Sequence, residues 1–334
     1  MADLEGKTLL VTGGNGFVGS HLLAALAELV PARLHATYLG KEPSQDDNSK
    51  SRQLEIHWHP LDITDRRQTA TLIAAVRPDI VFHLAAQSHI PTSFANPDLT
   101  WQVNLHGTLH LLSALNDHCP NATVIHVGSS DMYGANFHSA EPITESAAFM
   151  PLNPYAASKA AADLAAFQHG ANTDLKILRA RPFNHSGPGQ GEGFVLPSFA
   201  AQIARIEHGR SPPVMKVGDL AAERDFLHVA DVIDAYIAMA LHADRIESGT
   251  AFNIASGNPV TIQSLLQQFL NASDCRIITE RDPSRLRPAD ILRVCGDSRT
   301  LTMATGWQPR RSHATLIDDL LTYWRSRVLS EPGT

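Results

Sequence analysis

Short runs of apolar, β-branched residues alternate with longer stretches in which apolar positions recur every three or four residues, and this alternation fills the first half of the chain. The short runs predict strands near 7–12, 33–38, 54–58, 79–84, 122–127 and 174–180. The longer stretches predict helices near 17–29, 65–76, 98–117 and 154–170. "DIVFHLA" and "TVIHVGS" are almost unbroken apolar runs, the pattern of strands buried on both faces. Strand–helix–strand at this cadence predicts a parallel sheet with helices on both sides, a doubly wound α/β fold. After Arg181 the rhythm breaks. Pro and Gly crowd "RPFNHSGPGQGEG", scattered short elements follow, and a last helical pattern covers 312–328. "DVIDAYIAMAL" and "AFNIA" read as one more helix and strand returning to the main sheet. The expected organisation is a main domain over 1–181, joined by 227–255, with a smaller α/β substrate lobe made of 182–226 and 256–334.

Composition narrows the function more than the fold. The chain has 334 residues, 43% apolar and 18% charged, with a formal charge of −7. That balance argues against nucleic acid as a partner, so a phosphate-bearing ligand needs locally placed arginines and helix N-termini. No apolar run reaches the roughly eighteen residues of a membrane span. "MADLEGK" has neither the basic nor the apolar part of a secretory leader. Three cysteines without metal-type spacing suit a reducing cytoplasm. A cytoplasmic protein with no membrane partner is expected.

The first candidate site is "VTGGNGFVGS", where a strand runs into a helix. Gly13 allows a tight turn, Gly16 lets backbone approach a pyrophosphate, and Gly19 lets the helix pack closely on the sheet. The helix beginning near Phe17 then offers its N–H groups to the phosphates. The position of the glycines, strand before and helix after, favours the dinucleotide-binding turn of a Rossmann fold over an ordinary glycine-rich turn. Asp62, after the third strand, either accepts from an adenine amino group or caps the helix starting near Asp65. NAD-binding folds usually end the second strand on Asp or Glu for the ribose 2′-hydroxyl. Here "HATYLGK" has no acid before Glu42, and Lys41 stands close by. A neutral or basic end tolerates a 2′-phosphate, so NADP(H) is expected, with NAD the alternative.

The second candidate site is "NPYAASKAAADLAAF", in which Tyr155 and Lys159 are four apart and share one helix face. An ammonium beside a phenol lowers its pKa from about 10 toward neutrality, making Tyr155 a usable proton donor or acceptor. "HVGSSDMYG" lies at a strand end, where open α/β sheets put ligand chemistry. Ser129 or Ser130 there can hydrogen-bond a substrate carbonyl or alcohol.

Together the glycine turn, the strand-end serine and Tyr-x-x-x-Lys resemble the extended short-chain dehydrogenase/reductases, in the branch that modifies sugar nucleotides. "HLAAQSHIPTSFANP", "NLHGTLHLLSAL", "RPFNHSGPGQ", "VGDLAAERDFLHVADVIDAY" and "DPSRLRPAD" extend the resemblance over nearly the whole chain. Its second half is similar to GDP-mannose 4,6-dehydratases and, more closely, to GDP-4-keto-6-deoxy-D-mannose reductases. The resemblance implies Ser129, Tyr155 and Lys159 as catalytic residues. It implies Gly13, Asn15, Gly16, Phe17, Asp62, Ile63, Leu84, Ala85, Ala86, Gln87, Asn104 and Arg181 at the cofactor, beside Gly19, Lys41, Tyr155 and Lys159. It implies Asn184, Arg224, Arg285 and Arg287 at a GDP-sugar, Asn184 on the diphosphate side, with Ser129 and Ser130 at the reacting end. Guanidinium forks in "AERDF" and "SRLR" suit phosphate oxygens.

The dehydratases of this branch carry a Glu two positions after the catalytic Thr or Ser, and this chain has Asp131 there. A carboxylate shorter by one carbon, about 1.5 Å, is poorly placed for a step that depends on near-attack geometry. Reduction of a C4 ketone by NADPH does not need it and is the first expectation. Dehydratase, 4-epimerase and a catalytically silent cofactor sensor are the rivals. His57 with His59, and His106 with His110, have metal-compatible spacing but no third ligand nearby, so no metal is expected. The alanine-rich helices near 105–117 and 155–167 are apolar on more than one face, and the resemblance makes them a homodimer interface.

Overall fold

In the computed structural model the described residues are 4–29, 32–43, 55–138, 141–285 and 291–331. Along the chain, strand β1 (Thr8–Thr12) leads to helix α1 (Phe17–Glu28), then β2 (Arg33–Tyr38) and β3 (Ile56–Pro60). Next come α2 (Arg66–Val76), β4 (Ile80–His83), and the short helices α3 (Ile90–Ala95) and α4 (Pro97–Trp101). A π-helical turn (Gln102–His106) opens directly into α5 (Gly107–His118), followed by β5 (Thr123–Val127), a 3-10 segment (Ser130–His138), α6 (Pro154–Asn172) and β6 (Lys176–Pro182). The second half contains β7 (Asn184–Ser186), α7 (Val195–Glu207), β8 (Val214–Val217), β9 (Glu223–Arg224), β10 (Phe226–His228) and α8 (Val229–Leu241). It continues through β11 (Ala251–Ile254), β12 (Val260–Thr261), α9 (Ile262–Asn271), β13 (Ile278–Arg281), α10 (Arg299–Thr305) and α11 (His313–Leu329).

Seven strands form one sheet in the order β11-β6-β5-β4-β1-β2-β3, and every pairing in it is parallel. The order reverses between β1 and β4, which opens a crevice at the strands' carboxyl ends. β1, β4 and β5 are the continuous apolar runs because both faces are covered. On one face Leu22, Leu23 and Leu26 of α1 meet Val232, Ile233 and Tyr236 of α8. On the other, Ile73, Leu111, Leu115 and Ala166 close over Leu10, Val81 and Val124. The second half holds a core of its own, in which Leu196, Phe199 and Ile203 of α7 pack with Leu265, Phe269, Leu316, Leu320 and Trp324.

One expected element differs. The helix read over 98–117 is broken into α4, a π turn and α5. The extra residue in the wider turn keeps Asn104 inward, 1% exposed, where its amide has partners that a continuous α-helix would move away from it. Residue 54, the start of the third expected strand, lies outside the described residues.

Candidate active site

The glycine turn is built by contact. Gly13 has φ +70°, and a Cβ there would stand 2.9 Å from the Ala85 backbone. A Cβ on Gly19 would stand 2.3 Å from the Gly13 carbonyl oxygen, so α1 rests directly on the turn. Gly16 is the N-cap residue of α1 and no side chain caps the helix, leaving first-turn N–H groups for an anion. Thr37 fastens the turn to β2: its Oγ1 accepts from Gly13 N at 3.0 Å and its carbonyl from Gly14 N at 2.8 Å. Asn15 Nδ2 donates to Leu39 O at 3.2 Å. Gly14, which the spacing argument passed over, packs against Ala36 and Trp58 with no room for a side chain.

The two readings of Asp62 separate here. Asp65 caps α2, accepting from Arg67 N and Gln68 N. Asp62 instead takes Thr64 N at 2.9 Å and Thr64 Oγ1 at 2.7 Å, both on Oδ1. Its neighbour Ile63 is buried against Gly107. After β4, Leu84 N donates to Thr12 O and Ala85 N to Thr12 Oγ1, which holds residues 84–86 against the glycine turn. Asn104 accepts from Gln87 N at 2.8 Å, donates to Gln87 O at 3.0 Å and donates to Ser158 Oγ at 2.9 Å. One amide therefore joins the loop after β4 to α6, between Tyr155 and Lys159.

At the end of the sheet where Tyr155 lies, α6 starts on the Asn153 cap, which accepts from Ala156 N at 2.8 Å. Tyr155 is half-buried, and its phenol hydrogen-bonds Ser129, whose Oγ also accepts from Asp131 N at 3.2 Å. Ser129 and not Ser130 is thus the serine at the tyrosine; Ser130 is buried at the start of the 3-10 segment. Lys159, 5% exposed, donates Nζ to the Val127 carbonyl at the end of β5.

The expected lowering of the Tyr155 pKa is not what the protein groups produce. Burial first, and then the Asp131 carboxylate, push the phenol well above its usual range, with Ser129 partly opposing them. The Lys159 ammonium is committed to Val127 O and is drawn toward Asp163. Burial pushes it down to about 8, with Asp163 opposing. Shared spacing put the two side chains on one face but did not aim one at the other.

Arg181, expected at the cofactor, is 4% exposed and engaged within the protein. It donates to Asp163 Oδ1 and Oδ2 at 3.1 and 2.9 Å, to Tyr133 Oη at 2.9 Å and to Glu145 O at 2.9 Å. Arg179 pairs with the same carboxylate. Asp163 has 0% exposure and lies four residues beyond Lys159, at the same spacing as Tyr155 to Lys159. It is the only acid in α6, and that was the available signal for it.

Asn184 opens β7, paired in parallel with Phe226 of β10. Arg224 donates to Glu223 O and Ile291 O. Arg285 bonds Ser198 Oγ at 2.9 Å, next to the start of α7. Arg287 lies outside the described residues, and Lys41 is exposed after β2. Of the four discounted histidines, His59 bonds His35 at 2.9 Å, and His110 bonds Ile63 O at 3.2 Å. No helix of the described residues is long and apolar enough to cross a membrane.

Known proteins are similar to this chain over nearly its full length. The GDP-mannose 4,6 dehydratase family matches residues 10–320. The GDP-6-deoxy-D-mannose reductase of Pseudomonas aeruginosa is 37% identical over 97% of this chain and 99% of its own. GDP-mannose 4,6 dehydratase 2 of Arabidopsis thaliana is 31% identical, over 98% of this chain and 90% of its own. The solved structure of RMD from Pseudomonas aeruginosa complexed with NADPH superimposes with a TM-score of 0.81 at 35% identity, covering 96% of this chain and 99% of that one. The chain is a member of the GDP-mannose 4,6 dehydratase family, among the extended short-chain dehydrogenase/reductases.

Proposed function

We propose that the protein uses NADPH to reduce the C4 ketone of GDP-4-keto-6-deoxy-D-mannose to GDP-6-deoxy-D-mannose. The observation that carries this reading is the Tyr155 phenol set against Ser129, with Lys159 one turn further along α6 at the end of β5. Reduction of a ketone needs a proton donor at the developing alkoxide, and the Tyr155 hydroxyl is a donor of that kind beside a serine that can orient the ketone oxygen. The full-length likeness to a reductase of this substrate class points the same way.

The residues suit the cofactor. A Cβ would fill the cradle at Gly13 and Gly19, α1 has no side-chain cap at the pyrophosphate end, and Asp62 keeps Oδ2 for an adenine amino group. Glu42, the acid nearest the end of β2, is hydrogen-bonded to the Tyr38 phenol. It is therefore a poor acceptor for a ribose 2′-hydroxyl, and Lys41 is the charge left for a 2′-phosphate. NADPH, when bound, supplies hydride for C4. Ser129 orients the ketone oxygen, Tyr155 protonates it, and Lys159 holds ribose hydroxyls with the N–H groups that Val127 O does not take. Asn184, Arg224, Arg285 and Arg287 are the proposed holders of the GDP moiety.

The dehydratase reading is weaker because Asp131 replaces the longer Glu. The two separate by cofactor consumption. With GDP-4-keto-6-deoxy-D-mannose the protein is expected to oxidise NADPH in step with product, and with GDP-mannose alone to release no water. Following NADPH absorbance and product masses in both mixtures checks this; water loss from GDP-mannose without NADPH consumption makes it a dehydratase. We further propose a homodimer through α5 and α6. Leu164 and Phe167 are 57% and 48% exposed on one stripe of α6, an apolar face in want of a partner. Sedimentation at about twice the 36.3 kDa chain mass is expected; a monomer at micromolar concentration rejects the interface.

A further inference from the structure

The cofactor turn and the substrate-side loop meet in a small set of contacts that neither site's chemistry requires. Phe17 opens α1, and His21 lies one turn further on. His21 Nε2 donates to the Pro188 carbonyl at 2.7 Å. The Phe17 ring stands edge-on to His21 at 5.5 Å and stacks on His185 at 6.3 Å, with planes 13° apart.

The segment they touch, 187–194, is braced from within. Ser186 Oγ donates to Gln190 Oε1 at 2.6 Å, and Gln190, 7% exposed, donates to His185 O. Gly187 is pressed against Val229, where a Cβ would come within 2.5 Å of Cγ1. At the far end Glu192 is paired with Arg205 of α7. The loop thus behaves as one piece, anchored at one end to the second-half core and at the other to the helix whose N-terminus faces the cofactor turn. Asn184 stands at its root.

We infer that His21 is a positioning residue for the sugar nucleotide: by holding Pro188 it sets loop 187–194, and with it the diphosphate-binding side of the cleft, against the cofactor helix. The inference rests on the reading of Asn184 and its loop as the diphosphate side. His21 touches no reacting atom in this scheme. Its removal therefore changes how well the nucleotide is held and not how the ketone is reduced.

The test compares His21→Ala and His21→Gln with the parent, in the presence of NADPH. GDP is titrated calorimetrically, and KM, kcat and the NADPH dissociation constant are measured separately. His21→Ala is expected to weaken GDP and raise the substrate KM by about tenfold, the scale of one lost hydrogen bond and its ordering. Turnover and NADPH affinity are expected to stay within about twofold. His21→Gln keeps an N–H donor and is expected to recover most of the loss. GDP binding by His21→Ala as tight as the parent's overturns the inference. So does an equal loss of NADPH affinity, which would make His21 a support of the cofactor turn only. If the parent itself does not take GDP, the substrate reading is at fault. The same comparison is then made on UDP or dTDP, whichever the parent binds, and an unchanged affinity there, or no binding of any of the three, overturns the inference as well.

Discussion

Replacing Tyr155 by Phe is expected to lower kcat by about 10²–10⁴-fold, the usual cost of losing a general acid, while NADPH binding changes little. The ring stays and only the hydroxyl that meets Ser129 is lost, so the cofactor surface is intact. The pH profile adds a second readout. kcat/KM reports groups of the free enzyme, and the ammonium of Lys159 is complete below about 8 and lost above it. Parent and variant are both expected to show kcat/KM falling as pH rises through about 8, because the limb belongs to Lys159. A variant that keeps most of its turnover removes Tyr155 as the acid. A limb that vanishes with the hydroxyl assigns it to Tyr155 and rejects the Lys159 assignment.

Asp163→Ala is expected to cost about 3–5 kcal/mol of stability, the range for breaking a buried ion pair by removing one partner. Against a total near 5–15 kcal/mol for a typical domain, that is a large part of the whole. Asp163 is the carboxylate that Arg179 and Arg181 share, and both arginines are at least nine-tenths buried. Without it two guanidinium groups are left in a low-dielectric layer beside Lys159. Arg181 keeps Tyr133 and the Glu145 carbonyl, and the Phe149 ring at 4.7 Å, which sets the estimate toward the lower figure. Urea denaturation of both proteins measures it. A loss under about 1 kcal/mol would mean that the arginines reach water or another acceptor.

Asp163 also marks the limit of what was legible in the chain. The parallel strands were readable because a strand covered on both faces has few polar positions, and the observed β1, β2, β4 and β5 fall within a residue of their expected bounds. The glycine turn was readable because close backbone contacts leave no chemical alternative at Gly13 and Gly19. What stayed hidden depends on partners distant in sequence. Helical spacing puts Lys159 and Tyr155 on one face but cannot show that the ammonium goes to Val127 O, so the direction of the tyrosine shift is not legible in the sequence. Periodicity could not show the π turn, which places the Asn104 amide where it hydrogen-bonds the Gln87 backbone. Nor could the motif around Arg181 show that its guanidinium is engaged by an acid eighteen residues earlier. His21 sits in a helix whose pattern needs only an apolar face, and nothing local points to Pro188.

The sheet's last strand carries a consequence for how the chain is made. β6 pairs with β11, and α8, the helix that packs on α1, ends at Leu241, ten residues before β11 begins at Ala251. As the polypeptide leaves the ribosome, β6 emerges with one side bare while residues 183–250 are still being translated. At about 5–20 residues per second that interval lasts several seconds. An unpaired parallel strand flanked by an uncovered apolar face is open to association with other chains. Slower translation through this stretch is therefore expected to raise aggregation of the nascent chain, and chaperone cover to lower it, until Ile254 is clear. Rare codons between 183 and 250 would lengthen the most hazardous moment of its synthesis.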